Sequence, residues 1–267
     1  MKYAHHLVKI GGIVGNLYTS GSKKNTVVIY GKGAPSIPDS GNIDVAPTIL
    51  ARNLDLFVPD YIGFGRSDGK FTPMNCINTF LKLNRGFRNG CTGIDYGSMT
   101  NFRLKYKRVV NIGASFGGRF LPLLPRFDKS VKEICILYSA MDVSEYGNLG
   151  MPEEKISDFM RVMRNAGYYH MYRGIKSMTW KRHWANQDDL APVNNIRYLK
   201  NIKVFIAHGI LDDDINYVRS KQYYDRIAQA FPEKAGKTLV LKLYKAGNHG
   251  SATAIPAIKY YLKWIGL

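Results

Sequence analysis

Residues 112–118 read Ile-Gly-Ala-Ser-Phe-Gly-Gly and come shortly after the apolar pair at 109–110. Ser115 therefore stands between Gly113 and Gly117 at the end of a predicted buried strand. A sharp strand-to-helix turn brings neighbouring elements so close that only small residues fit beside its central residue. The spacing matches the G-x-S-x-G pattern of an exposed nucleophilic serine. A helix-capping serine between turn glycines is the alternative interpretation.

Short apolar, β-branched runs recur along the chain, and several of them alternate with segments of helical periodicity. The predicted strands are residues 13–18, 26–30, 54–59, 108–112, 133–138, 203–207 and 238–244. The predicted helices include residues 74–83, 217–231 and 252–264. This alternation predicts an α/β fold with a mostly parallel sheet covered by helices on both faces. In such sheets, functional side chains collect at the carboxyl ends of the strands.

The alternation breaks at residues 141–201, a much longer interval than a single crossover helix needs. This interval holds six of the nine methionines and several aromatic residues. We interpret it as a helical lid inserted into a core domain of residues 1–140 and 202–267. Methionine and aromatic side chains suit an adaptable apolar pocket, although at helical spacing they could equally pack the lid onto the core. The candidate pocket residues are Met160, Met163, Tyr168 and Trp180.

The charge balance is strongly basic, with 38 Lys plus Arg against 20 Asp plus Glu and a formal net charge of +18. The basic residues are dispersed and no nucleic-acid-binding motif is present, so we expect only weak, non-specific attraction to polyanions. No apolar run is long enough for a membrane span or a signal peptide. The three cysteines lack the spacing of a disulfide framework or a zinc site. These features predict a cytoplasmic monomer or homodimer without a bound metal.

A serine hydroxyl becomes a good nucleophile when a base takes its proton, and the usual base is a histidine oriented by a carboxylate. His249 is the candidate base, because it lies between the last predicted strand and the last predicted helix. His208 closes a strand and is expected to satisfy loop backbone. Asp212, four residues further on, is the candidate acid, and the two acids that follow it fit solvated turn residues. Asp142, after the preceding strand, is a rival position for the acid.

With its serine, aspartate and histidine in this order, the chain resembles the α/β-hydrolase superfamily. The resemblance runs from about residue 26 to residue 264. It includes residues 59–68, Pro-Asp-Tyr-Ile-Gly-Phe-Gly-Arg-Ser-Asp, which are similar to that superfamily's loop after its fourth strand. The resemblance implies that Ser115 is the nucleophile, His249 the base and Asp212 the acid. The long interval also falls where such enzymes carry a lid.

One departure from the superfamily concerns Tyr30, which precedes Gly31 where many members have His-Gly. In prolyl-oligopeptidase-like peptidases, a tyrosine in a comparable loop helps to hold the oxyanion. Tyr30 could act in this way or could simply pack at the strand end. The remaining oxyanion donors would be the backbone N–H groups of Phe116 and Lys32.

The sequence thus predicts a serine hydrolase that cleaves small to medium carboxylic esters through an acyl-enzyme intermediate. Its partner would be a small-molecule ester, and no metal or organic cofactor is implied. Two alternatives stay open. One is a prolyl-oligopeptidase-like exopeptidase or amidase, which Tyr30 favours. The other is a non-catalytic binding module on the same scaffold, because a fold does not by itself determine function.

Overall fold

A computed structural model of the chain describes residues 3–21, 24–143, 156–165 and 170–267. Ten strands lie within these ranges: β1 (Ala4–Ile10), β2 (Ile13–Thr19), β3 (Thr26–Gly31), β4 (Asp55–Pro59), β5 (Cys91–Asp95), β6 (Thr100–Leu104), β7 (Arg108–Ala114), β8 (Glu133–Leu137), β9 (Lys203–Gly209) and β10 (Leu239–Tyr244). They form one sheet in the order β10-β9-β8-β7-β3-β4-β2-β1-β5-β6. The strands from β10 to β4 in this order are parallel, and each remaining pair is antiparallel.

The described helices are α1 (Ala46–Leu50), α2 (Pro73–Asn89), α3 (Leu124–Phe127), α4 (Ile156–Asn165), α5 (Ser177–Trp184), α6 (Val218–Ala230) and α7 (Ser251–Trp264), with 3₁₀ helices at Ser115–Leu123, Pro192–Leu199 and Pro232–Lys234. Successive side chains of a strand point to opposite faces. In β3, Val27 and Ile29 join one apolar core, and Val28 and Tyr30 join the other. The first core includes α2 and α6, and the second includes α1 and α7. Helices therefore cover both faces of a mostly parallel sheet, which confirms the predicted fold class.

Each of the seven predicted strands and three predicted helices has a counterpart in the structure. The strands that the sequence analysis missed are β1, β5 and β6. These strands mix exposed and buried positions, and β5 and β6 contain glycine and asparagine, which are rare in strands. These segments form strands because they pair in antiparallel fashion with neighbouring strands, and not because of their own β-propensity.

The helix predicted after Ser115 begins as a 3₁₀ helix and continues as the short helix α3. Pro122 and Pro125 lie within this stretch, and neither has a backbone N–H to donate. A long, regular α-helix therefore cannot form directly after the turn. The change from 3₁₀ to α geometry keeps the chain against the sheet, where nearly all of its side chains are buried.

The predicted lid interval is described only at residues 156–165 and from residue 170 onward. There it contains α4, α5 and the 3₁₀ helix Pro192–Leu199. A bridge between Phe64 and Tyr172 ties the interval to the loop after β4. The division into a core domain and a helical lid stays a prediction.

None of the helices in the described parts of the chain is long and apolar enough to cross a membrane. Among the same residues, no group of three or more His, Cys, Asp or Glu side chains is placed to hold a metal ion. The three cysteines are unpaired, and Cys76 and Cys135 are buried. The cytoplasmic location and the absence of a cofactor stay predictions.

Candidate active site

Ser115 occupies a strained turn at the carboxyl end of β7. Its φ angle is +52°, in the left-handed region that non-glycine residues rarely adopt. The residue before it ends the strand, and the residues after it begin the 3₁₀ helix. This conformation presents a partly exposed serine side chain at the edge of the sheet where parallel strands end.

The glycines around Ser115 are required by close backbone approaches. A Cβ atom at Gly113 would lie 2.6 Å from the carbonyl oxygen of Gly117, and one at Gly117 would lie 2.5 Å from the Tyr61 hydroxyl oxygen. Both distances are shorter than any real Cβ contact. On the other side of the serine, a Cβ at Gly33 would lie 3.0 Å from Ser115 Cβ and 3.3 Å from its Oγ. The backbone after β3 therefore packs directly against the candidate nucleophile.

His249 and Asp212, which are 37 residues apart, meet in the structure. The Nδ1 atom of His249 lies 2.8 Å from Oδ2 and 3.0 Å from Oδ1 of Asp212. An ionised carboxylate only accepts hydrogen bonds, so this contact places the imidazole proton on Nδ1. The Nε2 atom is then left with a lone pair that can accept a proton. The ring of His249 also packs edge-on against Tyr138, with 4.8 Å between ring centroids.

Asp212 is buried, and its carboxylate accepts several hydrogen bonds. Oδ1 accepts the backbone N–H groups of Asp214 and Ile215, at 3.0 and 2.8 Å. Oδ2 also lies 3.0 Å from Nε2 of the buried His208. Burial alone would raise the pKa of Asp212, but the hydrogen bonds from His208 and His249 outweigh it and lower the pKa to about 2. This carboxylate is therefore held in its ionised form.

His208 is oriented by its own contacts. Its Nε2 atom lies 2.9 Å from the carbonyl oxygen of Ile215 and also faces Asp212, so Nε2 carries the proton and donates to both. Its Nδ1 atom accepts from the Ser220 hydroxyl at 2.7 Å. The structure thus places His208 in the backbone-satisfying role expected from the sequence. Nothing in the sequence had indicated that His208 also contacts Asp212.

The other three candidate acids, Asp142, Asp213 and Asp214, lie in other positions than Asp212. Asp142 accepts a hydrogen bond from Asn186 and forms a 2.9 Å ion pair with Arg226. Asp213 is exposed. Asp214 is partly exposed, and its Oδ2 lies 3.8 Å from the Nε2 atom of His249. Of the four candidate acids, Asp212 makes the close contact with His249 Nδ1.

A family model described as the prolyl oligopeptidase family matches residues 148–265, which include Asp212 and His249 but not Ser115. No curated protein sequence matches the chain. Among solved structures, a serine hydrolase involved in carbazole degradation is 16% identical with a TM-score of 0.58, over 99% of both chains. The thioesterase domain from the curacin biosynthetic pathway is 12% identical with a TM-score of 0.57, over 98% of this chain and 100% of that one.

The acylaminoacyl peptidase of Pyrococcus horikoshii is 14% identical with a TM-score of 0.56, over 99% of this chain but only 41% of the peptidase. The chain has the α/β-hydrolase fold. At sequence identities of 12% to 16%, similarity to these solved structures establishes only the fold. The partial family match and the hydrolase neighbours support the coarse class of a serine hydrolase with the α/β-hydrolase fold.

Ser115 and His249 line one cavity of about 420 Å³. Its other walls come from the segment after β3, the end of β8 and the predicted lid interval. Apolar groups in these walls include Pro35, Phe116 and Trp184. The cavity therefore has the size and the largely apolar lining of a site for a small organic molecule.

The candidate oxyanion residues lie around the same cavity. Tyr30, Lys32 and Phe116 all line it. The hydroxyl of Tyr30 lies 3.5 Å from that of Tyr138, and burial raises the pKa of Tyr30 well above its ordinary value. The ammonium group of Lys32 donates to the carbonyl oxygen of Ile37, and the predicted oxyanion donor of this residue is its backbone N–H.

The candidate pocket residues of the lid interval lie in packed positions. Met160, Met163 and Trp180 are buried in the apolar core, and the ring of Trp180 stacks on Phe71 with 4.9 Å between centroids. None of the three is among the residues that line the described cavity. Tyr168 lies outside the described residues. A pocket role for these four residues stays a prediction.

Two other residues of the interval, Arg161 and Trp184, line the cavity. The buried Arg119, four residues after Ser115, also lines it but directs its N–H groups to the carbonyl oxygens of Ala140, Met141 and His183. Arg119 also stacks over Trp184, with 4.8 Å from the guanidinium carbon to the ring centroid. Helical periodicity alone could not indicate which lid side chains face the cavity.

Proposed function

We propose that the protein is a serine hydrolase that cleaves carboxylic esters of small to medium size through an acyl-enzyme intermediate. The observation that carries this proposal is the shared placement of Ser115 and His249. Ser115 lies on a strained turn in the wall of a cavity, and His249 lines the same cavity with its Nδ1 held by Asp212. This arrangement supplies a nucleophile, a base with a free Nε2 lone pair, and a carboxylate that orients the base.

In the proposed first half-reaction, Ser115 Oγ attacks the ester carbonyl carbon while its proton moves to His249 Nε2. The carbonyl oxygen becomes negative and accepts hydrogen bonds from backbone N–H groups at Phe116 and Lys32. When the tetrahedral intermediate collapses, the alcohol leaves with the proton from His249. The acyl group then remains on Ser115 as an ester.

In the second half-reaction, a water molecule gives a proton to His249 Nε2 and attacks the acyl-enzyme carbonyl. Collapse of this intermediate breaks the bond to Ser115 Oγ and returns the proton to that oxygen. The carboxylic acid product leaves, and the enzyme is regenerated. Asp212 stays ionised throughout and stabilises the imidazolium, consistent with its low pKa.

Two observations favour esters of modest size. The cavity of about 420 Å³ lies at the lower end of the range for small-molecule sites. Its walls near Ser115 carry apolar groups from Ile43, Phe116 and Ile215. An uncharged acyl chain would lose water favourably against these apolar groups.

A second candidate function is that of an exopeptidase or amidase related to the prolyl oligopeptidase family. The family match at residues 148–265 favours it, as does Tyr30 in the cavity wall. The same chemistry would release an amine, which is a poorer leaving group and needs protonation by His249. A non-catalytic binding module is the third candidate, and the contact of His249 with Asp212, beside a cavity that Ser115 also lines, argues against it.

A fluorophosphonate probe tests whether the serine is activated. We expect covalent labelling of the native protein and none of Ser115→Ala. A matched control is Ser139→Ala, which removes another serine hydroxyl from the wall of the same cavity and should keep the label. Inertness of the native protein, or equal labelling of both variants, would argue for a binding module.

Substrate class is then tested with two matched sets, nitrophenyl esters of increasing acyl length and aminoacyl naphthylamides. The proposal expects turnover of short and medium esters and little turnover of the amides. Faster turnover of the amides, measured as kcat/KM, would favour the exopeptidase.

A further inference from the structure

The carboxylate of Asp214 lies beside the reacting groups but has no part in the reaction proposed above. Its Oδ2 atom lies 3.8 Å from Nε2 of His249. In the proposed reaction, this nitrogen takes the proton of Ser115 and passes it to the leaving group. Asp214 also lines the cavity at Ser115, and among the described residues that line this cavity it is the acidic one. We therefore asked what this carboxylate could bind.

The turn after β9 fixes the position of Asp214. The backbone N–H of Asp214 donates to Oδ1 of Asp212 at 3.0 Å, and that of Ile215 donates to the same oxygen at 2.8 Å. Oδ2 of Asp212 lies 2.8 Å from Nδ1 of His249. The same turn thus brings two carboxylates to one imidazole ring, with Asp212 at Nδ1 and Asp214 near Nε2.

The two carboxylates differ in what they can still bind. Asp212 is buried and already accepts several hydrogen bonds. The side chain of Asp214 is 49% exposed, and within the described part of the chain no hydrogen bond reaches its carboxylate oxygens. Nε2 of a neutral His249 is itself an acceptor, so the 3.8 Å contact joins two acceptors. A group that donates hydrogen bonds fits beside them, and the carboxylate stabilises a positive charge on that group.

The leaving group is the part of the substrate that comes within reach of Asp214. Its oxygen must lie about 3 Å from Nε2 of His249 to receive the proton. Because Nε2 is 3.8 Å from Oδ2 of Asp214, the leaving oxygen then lies within about 7 Å of this carboxylate oxygen. A nitrogen two carbons beyond the leaving oxygen can therefore reach hydrogen-bond distance of Asp214.

The other charged side chains of the cavity are cations. Lys32 donates its ammonium group to the carbonyl oxygen of Ile37, and Arg119 donates to three backbone carbonyl oxygens. Arg161 of α4 also lines the cavity. The net charge of +18 repels cations at long range. A preference for a cationic leaving group would therefore depend on the local charge of Asp214 and not on the charge of the whole chain.

We propose that Asp214 selects esters of amino alcohols, in which the leaving group carries a protonated amine two carbons from the ester oxygen. The ammonium group donates to the Asp214 carboxylate while the ester oxygen receives its proton from Nε2 of His249. The ammonium group keeps its own proton, so the bonds made and broken are those of the ester hydrolysis described above. Asp214 is then a specificity-determining residue, and its role rests on the proposed ester hydrolysis.

Two butyrate esters of the same shape test this selection. One is 2-(dimethylamino)ethyl butyrate, which is protonated at neutral pH, and the other is its uncharged isostere, 3-methylbutyl butyrate. The measurement is kcat/KM for each ester, followed by release of butyric acid at constant pH. An amine also changes the intrinsic reactivity of an ester. The quantity to compare between protein variants is therefore the ratio of the two kcat/KM values, cationic over neutral.

Asp214→Asn removes the negative charge but keeps the size of the side chain and the backbone N–H that holds Asp212. This variant should lower the ratio about fivefold, the scale of a charge pair that is half exposed to water. Asp213→Asn is the matched control, because it removes the same charge from the exposed neighbouring position, and it should keep the native ratio. Any effect of the lost charge on His249 itself acts on both esters and cancels in the ratio.

Three results would overturn the inference. If Asp214→Asn keeps the native ratio, or slows both esters equally, Asp214 does not recognise the leaving group. If Asp213→Asn lowers the ratio as much as Asp214→Asn does, the enzyme responds only to overall charge. Failure of the proposed function has a different signature, because the native protein would then turn over neither ester, and this inference would fall with it.

Discussion

Asp212→Asn replaces one oxygen of a buried carboxylate by an NH₂ group, and the surrounding donors decide where that group goes. Oδ1 already accepts two backbone N–H groups, at 3.0 and 2.8 Å, so the amide oxygen is expected to take this position. The NH₂ group then lies at the Oδ2 position, which faces His208 at 3.0 Å and His249 at 2.8 Å. An acceptor of hydrogen bonds has become a donor at that point.

The two histidines respond differently to this change. His208 also donates through Nε2 to the carbonyl oxygen of Ile215, so its proton stays where it is. His249 can relieve the conflict by accepting at Nδ1 and carrying its proton on Nε2. In that tautomer Nε2 cannot take the proton of Ser115. The comparable Asp→Asn change in a serine protease lowers kcat about 10⁴-fold, and we expect a loss of this order.

The assay is kcat for a short nitrophenyl ester, measured beside the melting temperature. The unrelieved contact between NH₂ and the N–H of His208 should cost roughly 1–3 kcal/mol of stability, so the variant should still fold. Asp213→Asn is the matched control, because it makes the same change of charge at the exposed neighbouring position, and it should keep its activity. A folded Asp212→Asn enzyme with about a tenth of native kcat would refute the assignment. Greater damage from Asp142→Asn would refute it too.

Three further predictions follow from the site. Tyr30→Phe should lower kcat about 10²-fold with KM nearly unchanged if the hydroxyl stabilises the oxyanion, and a native kcat would leave that role to backbone N–H groups. Trp184→Ala should change the preference among acyl chain lengths by about 1–3 kcal/mol because Trp184 lines the cavity. Met163→Ala should change it as well if Met163 has its predicted pocket role, and should only lower the melting temperature if Met163 packs in the core. The folded-state pKa of Asp212 is about 2, below the ordinary value, so its ionisation stabilises the fold above about pH 4. As pH falls from 4 to 2, urea denaturation should show a loss of about 2 kcal/mol that is absent in Asp212→Asn.

Local sequence patterns were sufficient to predict the strands in the parallel half of the sheet. Strands such as β3 and β7 are fully or almost fully buried, so their runs of Val and Ile stand out from the polar loops around them. The turn at Ser115 was equally visible, because close backbone approaches require Gly113 and Gly117 at fixed spacing. His249 could be selected because strand ends in a parallel sheet share one edge.

The antiparallel strands β1, β5 and β6 were not recognised, because their order depends on pairing and not on their own composition. The same holds for side-chain direction in the lid interval, where Trp180 and Trp184 both pack in the apolar core but Trp184 also lines the cavity. Both residues lie on α5, and only the surfaces against which that helix packs decide which of them faces the cavity.

The sequence by itself determined which segments form the parallel strands, three of the helices and the serine turn, since each of these depends on residues that are near one another in the chain. It left open which acid accompanies His249, because Asp142 and Asp212 both follow strand ends. The tertiary structure decided this: the turn after β9 directs two backbone N–H groups and His208 at Asp212, while Asp142 lies beside Arg226. It also brought Tyr106 to Asp55, 51 residues away in the chain, because such contacts form only when distant strands pair.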